Sequence, residues 1–211
     1  MKKVLFIVLV TFLTLIITTC GTRVKPPPSV GDIISFAGRD WIVLANNSNR
    51  AKILSVDITE RRPSYYTHPK APWTSSELRS YLNNTFLNTF RDSDRVRILE
   101  TVINNPNNHW FASSGGANTQ DRIFLLSIEE VVKYFGDSRQ LENRPNGAGS
   151  INDQFNLART ALFNGQATCW WLRSPGRDSL SAAGVCHTGR IQMECLDVAY
   201  GGVRPALWLQ L

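Results

Sequence analysis

The sequence predicts an α+β domain with strands at both ends of the chain and helices between them. Residues 31–56 contain three strand-like runs separated by turn residues, and residues 169–209 are strand-like again. The middle of the chain carries helix-capping residues followed by apolar residues at helical spacing. This order differs from the alternation of strands and helices that is typical of a parallel sheet. Because chain termini commonly lie close together in a domain, we expect the first and last strands to pair in one sheet.

The N-terminal strands are predicted at residues 32–36, 41–44 and 51–56. Gly38 and the asparagine-rich segment 46–49 separate these strands and supply turn chemistry. We therefore expect a three-stranded meander at the start of the domain.

Three segments of the middle region predict helices. Thr74 or Ser75 is expected to cap a helix that carries Glu77 in its first turn. A short second helix is predicted at residues 92–99, where acidic residues stand at the start, and another at residues 152–163.

One strand–helix unit has a clear start and end. The apolar run 123–126 predicts a buried strand, and Ser127 is expected to cap the helix that follows. Gly136 is expected to end that helix.

The last quarter of the chain predicts four strands, at residues 169–172, 182–187, 190–194 and 203–209. Two blocks within it, residues 170–176 and 202–209, each combine bulky apolar residues with an arginine and a proline. We interpret the blocks as rigid strands that support the polar segment 177–201 between them.

The N-terminus has the pattern of a lipoprotein signal peptide over residues 1–19. Two lysines precede an apolar run that is shorter than the roughly 20 residues needed to cross a bilayer. Cys20 lies where such signals place the lipidated cysteine, although Thr19 stands where a smaller residue is usual. The alternative is a signal peptide in which Cys20 has no special role. Residues 20–30 contain three consecutive prolines and predict an extended tether.

Residues 31–211 are long enough for a single domain with a full core. Loss of the signal peptide would remove Lys2 and Lys3 and lower the net charge from +6 to +4. The basic residues form no block, so the sequence predicts no nucleic-acid partner. The sequence predicts the membrane as a partner, to which the N-terminal lipid would attach the protein.

The sequence predicts neither a catalytic centre nor a cofactor. Three cysteines remain after Cys20, so they cannot all pair; Cys186 and Cys195 are one possible pair, and buried free thiols are the default. The spacings do not match a metal site. The three histidines, His68, His109 and His187, lack a neighbouring catalytic motif.

Four residues of the C-terminal blocks are interpreted as structural: Trp171, Arg173, Arg204 and Trp208. The tryptophans lie in strand patterns and are expected in the core. A buried guanidinium needs carbonyl or carboxylate partners, for which Asp121 and Asp197 are candidates.

The candidate ligand-binding residues lie in loops that mix charges, hydroxyls and one aromatic side chain, as adaptable recognition surfaces do. They are Trp110, Arg177, Asp178, Ser179, Ser181, His187, Thr188 and Arg190. The alternative interpretation of these loops is a plain solvated connection.

Three phrases together resemble a bacterial family of exported domains of unknown function, the DUF6273 family. They are residues 73–83, residues 121–127 and the two C-terminal blocks. The resemblance runs from about Gly31 to Leu209. The family is similar to the C-type-lectin-like fold shared with formylglycine-generating enzymes, which implies a mixed sheet with flanking helices and ligand binding on C-terminal loops.

These observations lead us to expect a lipid-anchored protein of the bacterial cell envelope that binds a protein or glycan ligand without catalysis. Two alternatives remain open at this point. One is an envelope enzyme that acts on glycans or protein side chains, and the other is a structural component of the envelope.

Overall fold

The computed structural model describes residues 26–47, 49–62, 72–178, 181–194 and 201–211. The predicted signal peptide and Cys20 lie outside these residues.

The described α-helices are α1 (Glu77–Tyr81), α2 (Asp92–Arg95), α3 (Ile128–Tyr134) and α4 (Asn156–Arg159). The described strands are β1 (Ile33–Phe36), β2 (Arg39–Asn47), β3 (Arg50–Ser55), β4 (Glu60–Arg62), β5 (Ile98–Leu99), β6 (Thr101–Ile103), β7 (Thr119–Asp121), β8 (Ile123–Phe124), β9 (Ser150–Ile151), β10 (Leu162–Phe163), β11 (Gln166–Ala167), β12 (Trp170–Pro175), β13 (Ala182–Val185), β14 (Ile191–Gln192), β15 (Gly201–Val203) and β16 (Ala206–Gln210).

The chain is a mixed α+β structure that is built mainly from sheets. The first sheet has the strand order β1-β2-β3-β16-β5, and β8 also pairs with β16. Strands β1, β2 and β3 form the expected antiparallel meander. The last strand, β16, pairs antiparallel with β3, which places Trp208 opposite Lys52. The two ends of the chain therefore share one sheet, as predicted, but the last strand pairs with β3 and not with the first strand, β1.

The second sheet has the order β4-β15-β12-β13-β14-β9. Its central strand β12 is buried along its whole length, including both Trp170 and Trp171. Alternation along a strand sends these two indoles to opposite faces, so both faces of the sheet are covered here. Each indole N–H is satisfied by a carbonyl, that of Arg159 at 3.0 Å and that of Arg62 at 3.1 Å.

The predicted cap of α3 is confirmed by a reciprocal capping box. The Ser127 hydroxyl accepts from the N–H of Glu130 at 3.2 Å, and the Glu130 carboxylate accepts from the N–H of Ser127 at 3.0 Å. For α1, the cap is Ser76 instead of Thr74 or Ser75, because residues 73–75 form a 3₁₀ turn ahead of the helix. The Ser76 hydroxyl accepts from the N–H of Arg79 at 3.1 Å.

Two predicted helices are shorter than expected. Of residues 92–99 only Asp92–Arg95 is helical, since Ile98–Leu99 pairs with β16. Of residues 152–163 only Asn156–Arg159 is helical, and Leu162–Phe163 forms a hairpin with β11. Asn164 and Gly165 turn that hairpin with φ angles of 51° and 78°. This pair suits a two-residue hairpin turn, so turn chemistry and strand pairing override the apolar spacing.

The predicted strand 203–209 is divided between the two sheets. Val203 ends β15 in the second sheet, and Ala206 begins β16 in the first. Arg204 and Pro205 lie between these two strands, and both are buried. One buried hydrophobic cluster includes residues of both sheets, among them Trp41, Phe124 and Trp171. Within the described part of the chain, no helix is long and apolar enough to span a membrane.

Candidate functional site

Arg173 lies on β12 and is buried, with 4% of its surface exposed. Its Nη1 donates to the Leu125 carbonyl at 2.6 Å and to the Glu130 carboxylate, and its Nη2 donates to the Asn104 carbonyl at 2.8 Å. Asp121, one of the two carboxylates expected to serve the arginines, instead pairs with Arg79 at 2.6 Å. Asp197 lies outside the described residues. Arg173 therefore ties three separate segments to β12.

Glu130 is the acceptor at the centre of this network. Its Oε1 lies 2.6 Å from Lys52 Nζ, while Oε2 accepts from Arg173. Burial alone would raise the pKa of this carboxyl group, but the charges of Arg173 and Lys52 lower it from 4.5 to about 2. The carboxylate is thus ionised at neutral pH and joins α3 to both sheets.

Arg204 is buried between the two six-stranded sheets. Its Nε donates to the Ser55 carbonyl at 2.9 Å, and its guanidinium lies 5.0 Å from the centre of the Trp170 ring. Burial lowers its pKa to about 10, which the charge of Asp57 partly opposes. Nη1 has no hydrogen-bond partner among the described residues. Packing on Trp170 and the hydrogen bond to Ser55 therefore help to hold the side chain.

Trp208 is half-buried, although the strand pattern predicted a core position. The guanidinium of Arg50 lies 4.7 Å from its ring centre, and the ammonium of Lys52 lies 5.4 Å from it. The indole lines a groove of about 580 Å³, which we call the Trp208 groove. Its walls also include Glu100, Glu129, Glu130 and Arg173.

The carboxylates of the Trp208 groove lie against basic side chains of the protein. Glu130 binds Lys52 and Arg173, Glu129 lies 3.4 Å from His109 Nδ1, and Glu100 lies 3.9 Å from Arg122. A ligand in this groove would compete with these contacts, and those of Glu130 are shielded from water. The groove therefore has mainly the character of a structural ion-pair network.

A second groove, of about 310 Å³, is lined by Trp110 and by the edge strand β9. We call it the Trp110 groove. Trp110 is half-buried, and its indole N–H donates to the Leu141 carbonyl at 3.2 Å. Asn108 fixes the loop by donating to the carbonyls of Pro175 and Gly176, at 3.0 and 3.1 Å. The indole is thus held in one orientation at the groove wall.

The rest of the Trp110 groove is mostly polar, with Gln140, Asn143, Pro145, Ser150, Ile151, Asn152 and Asp153. Asp153 accepts from Arg159 at 2.9 Å and from the N–H of Phe155 at 2.8 Å. Burial would raise the pKa of Asp153, but these hydrogen bonds and the Arg159 charge lower it. The groove therefore combines one aromatic face with amides and a fixed negative charge.

Of the residues that line this groove, Trp110 alone is among the predicted ligand contacts. The sequence predicts a helix at residues 152–163, which gives no indication that this segment shares a site with Trp110. Asn143 and Asn152 are both exposed. The frequency of asparagine near residues 143–156 is the only local signal, and turn formation explains it equally well.

Arg177 and Asp178, two of the predicted ligand contacts, are exposed on the loop that follows β12. Arg177 lies beside the Trp110 loop, because its guanidinium is 5.6 Å from the centre of the Phe111 ring. Ser181 is buried, contrary to the expectation of a surface contact, and its hydroxyl accepts from the N–H of Asp178 at 3.2 Å. Ser179 lies outside the described residues.

His187, Thr188 and Arg190 lie at the other end of the β12–β13 hairpin. Strand β12 begins opposite Val185 and ends opposite Ala182, so the Arg177 loop and the His187 turn are separated by the strand length. At about 3.3 Å per residue, five steps along β12 span roughly 17 Å. His187 and Thr188 are exposed, and Arg190 is partly buried. The two predicted loops therefore do not converge on one site.

No group of three or more His, Cys, Asp or Glu side chains that could hold a metal ion occurs in the part of the chain that the structure describes. The fold and its grooves define an α+β domain that has two six-stranded sheets and a polar, aromatic-walled recess beside an edge strand. The chain belongs to the DUF6273 family, a domain of unknown function, whose family model matches residues 48–211. The match begins after β1 and β2, later than the expected start near Gly31. No curated protein and no solved structure matches the chain.

Proposed function

We propose that this chain is a lipid-anchored protein of the bacterial cell envelope whose domain binds a glycan in the Trp110 groove, without catalysis. The observation that carries the proposal is the placement of the half-buried indole of Trp110 beside exposed amides and the ionised Asp153. A sugar has apolar C–H faces and many hydroxyls, and these match an aromatic wall with hydrogen-bonding side chains.

The geometry of the groove supports a preformed site. Trp110 is fixed by its hydrogen bond to Leu141, and Asp153 is fixed by Arg159, which is completely buried. Fixed side chains lose little conformational freedom when a ligand binds, which favours affinity. Asn143 and Asn152 stand exposed at the rim, where their amides can both donate and accept.

A glycan array tests the proposal, with the full chain in detergent as the probe and a protein array in parallel. Asn152→Ala and Trp110→Ala should each weaken glycan binding by about tenfold or more, which corresponds to about 1.4 kcal/mol. Trp208→Ala is the matched control, since it removes a half-buried indole from the other groove and should leave binding intact. Replacement of residues 177–181 by glycine and serine should have a smaller effect.

Two results would contradict the glycan proposal. The first is binding that survives both Trp110→Ala and Asn152→Ala in variants whose circular dichroism is unchanged. The second is binding that is lost only in Trp208→Ala. Binding on the protein array alone would mean that the ligand is a protein and not a glycan. It would favour the edge of β9 as the binding site, where a strand of the ligand can pair.

Export and the lipid anchor are a separate part of the proposal and have a separate test. They are supported by the lysines, the apolar run and the position of Cys20. Cys20→Ser should release the protein from the membrane fraction. Retention of a processed Cys20→Ser protein in that fraction would contradict the anchor.

We also propose that the domain has a C-type-lectin-like fold. The presence of strands from both ends of the chain in one sheet supports this assignment. Superposition of a crystal structure of the domain on formylglycine-generating enzymes would test it, and a different strand order would contradict it.

A further inference from the structure

Cys169 and Cys186 face each other across the β12–β13 hairpin. Trp170 is paired with Val185 in the antiparallel register. One further step along each strand brings Cys169 opposite Cys186, on the same face of the sheet. Both are free thiols in the structure.

The main-chain bonds of the two cysteines point away from each other. The N–H of Cys186 donates to the Arg190 carbonyl at 2.9 Å, and the Cys169 carbonyl accepts from the N–H of Gly202 at 2.7 Å. These bonds run to the outer neighbours, so the cysteines form a non-hydrogen-bonded pair. The Cα atoms of such a pair lie about 4.5 Å apart. That separation lies within the range of about 4.4–6.8 Å found in disulfides.

The surroundings place both sulfur atoms at the same turn. The N–H of His187 hydrogen-bonds the sulfur of Cys169, and the Thr188 hydroxyl lies 2.9 Å from the sulfur of Cys186. Burial raises the pKa of the Cys169 thiol, and a charge on Cys186 raises it further. For Cys186, burial is outweighed by the Thr188 hydroxyl and nearby N–H groups, which lower the pKa. The pKa of the Cys169 thiol is thus raised and that of the Cys186 thiol is lowered.

We propose that Cys169 and Cys186 are a redox modification site that forms a cross-strand disulfide. The oxidant is a small disulfide such as oxidised glutathione, or the disulfide of a thiol oxidoreductase. The thiolate of Cys169, the more exposed of the two, attacks one sulfur of the oxidant and releases one thiolate. The thiolate of Cys186 then attacks the sulfur of Cys169 and releases the second. The two cysteines lose two protons and two electrons, and the oxidant becomes two thiols.

The disulfide would close the loop formed by residues 169–186, which includes the Arg177 segment. Closing a loop of this length restricts the unfolded chain and stabilises the folded domain. It would also fix the start of β12 to the turn that carries His187. This inference depends neither on glycan binding nor on export.

Peptide mapping of the full chain tests the proposal. The protein is incubated with oxidised glutathione, alkylated and digested with trypsin. Cys169, Cys186 and Cys195 then lie in three different peptides, residues 160–173, 178–190 and 191–211, since trypsin does not cleave between Arg204 and Pro205. We expect the first two peptides to be linked, and the reductant dithiothreitol to separate them. Oxidation should raise Tm by about 6–12 °C, and it should not do so in Cys169→Ser.

The same map shows each result that would overturn the proposal. Linkage of residues 178–190 to 191–211 would assign the disulfide to Cys186 and Cys195 instead. Glutathione adducts on Cys169 without any linked peptide would show that the thiols cannot meet. Cys195→Ser serves as the second variant, and loss of the 169–186 link in this folded variant would also contradict the pair.

Discussion

Arg173 and Glu130 join the central strand of the second sheet to helix α3 through a buried ion pair. Lys52 on β3 binds the other oxygen of the same carboxylate at 2.6 Å, so a strand of the first sheet shares this acceptor. The Glu130 side chain also completes the capping box of α3. One carboxylate therefore connects both sheets and the start of a helix.

Glu130→Gln should destabilise the domain by about 3–5 kcal/mol, because it leaves two shielded cations without a counter-charge. Glu129→Gln is the matched control on the neighbouring residue. The Glu129 side chain is 44% exposed and pairs with a half-exposed His109, so the expected loss is within about 0.5 kcal/mol. Urea unfolding of the three proteins measures the difference, and equal losses in the two variants would contradict the role of Glu130.

The acid stability of the domain should depend on Glu130. Its pKa is lowered from 4.5 to about 2 in the folded state, so its stabilisation is complete above the unfolded value and is lost as pH falls through the folded value. That shift corresponds to about 3 kcal/mol. The difference in unfolding free energy between wild type and Glu130→Gln should therefore shrink between pH 5 and pH 2, by roughly that amount. A difference that stays constant over this range in guanidinium titrations would contradict the prediction.

Arg204→Ala should destabilise the domain without a selective effect on ligand binding. The change removes a buried side chain that packs on Trp170 and donates to Ser55, for an expected loss of about 2–5 kcal/mol. Arg204→Met should cost less, since it keeps most of the volume and removes the unpaired Nη1. Thermal unfolding and binding at a temperature where the variants are folded are the measurements. An unchanged Tm together with lost binding would show that Arg204 belongs to a ligand site.

The His187 turn should tolerate no side chain at Gly189. Its φ is +82°, and a Cβ there would lie 1.7 Å from the carbonyl oxygen of Asn156. Gly38 is the control, with φ of +73° and open space around its Cβ position. Gly38→Ala should cost about 1–2 kcal/mol from backbone strain alone, and Gly189→Ala about 3 kcal/mol or more. Chemical denaturation measures the loss of unfolding free energy in each variant. Equal losses in the two variants would mean that the turn does not pack on α4.

Several local features were readable from the sequence because they depend on neighbouring residues. The meander follows from turn residues between apolar runs, and the start of α3 follows from Ser127 and Glu130, which are three positions apart. The same local reasoning was wrong at residues 98–99, where β16 recruits Ile98 into a sheet. It was also wrong at Leu162, where a two-residue turn favours a hairpin.

The candidate site was predictable only at Trp110. Its groove joins Trp110 to the segment that contains Ser150 and Asp153, which lies about forty residues further along the chain. Patterns among neighbouring residues in the sequence do not specify which distant loops come into contact. The separation of Arg177 from His187 likewise follows from strand direction in the β12–β13 hairpin.

The family, the α+β class and the strand-rich ends of the chain can be read from the sequence, because they follow from motifs and short-range periodicity. Which residues become partners depends on the tertiary structure. Arg173 meets Glu130, 43 positions away, and Cys169 faces Cys186 only because of the register of one hairpin. Such contacts depend on how the sheets stack and on which strands are neighbours, and the spacing of residues along the chain does not specify either.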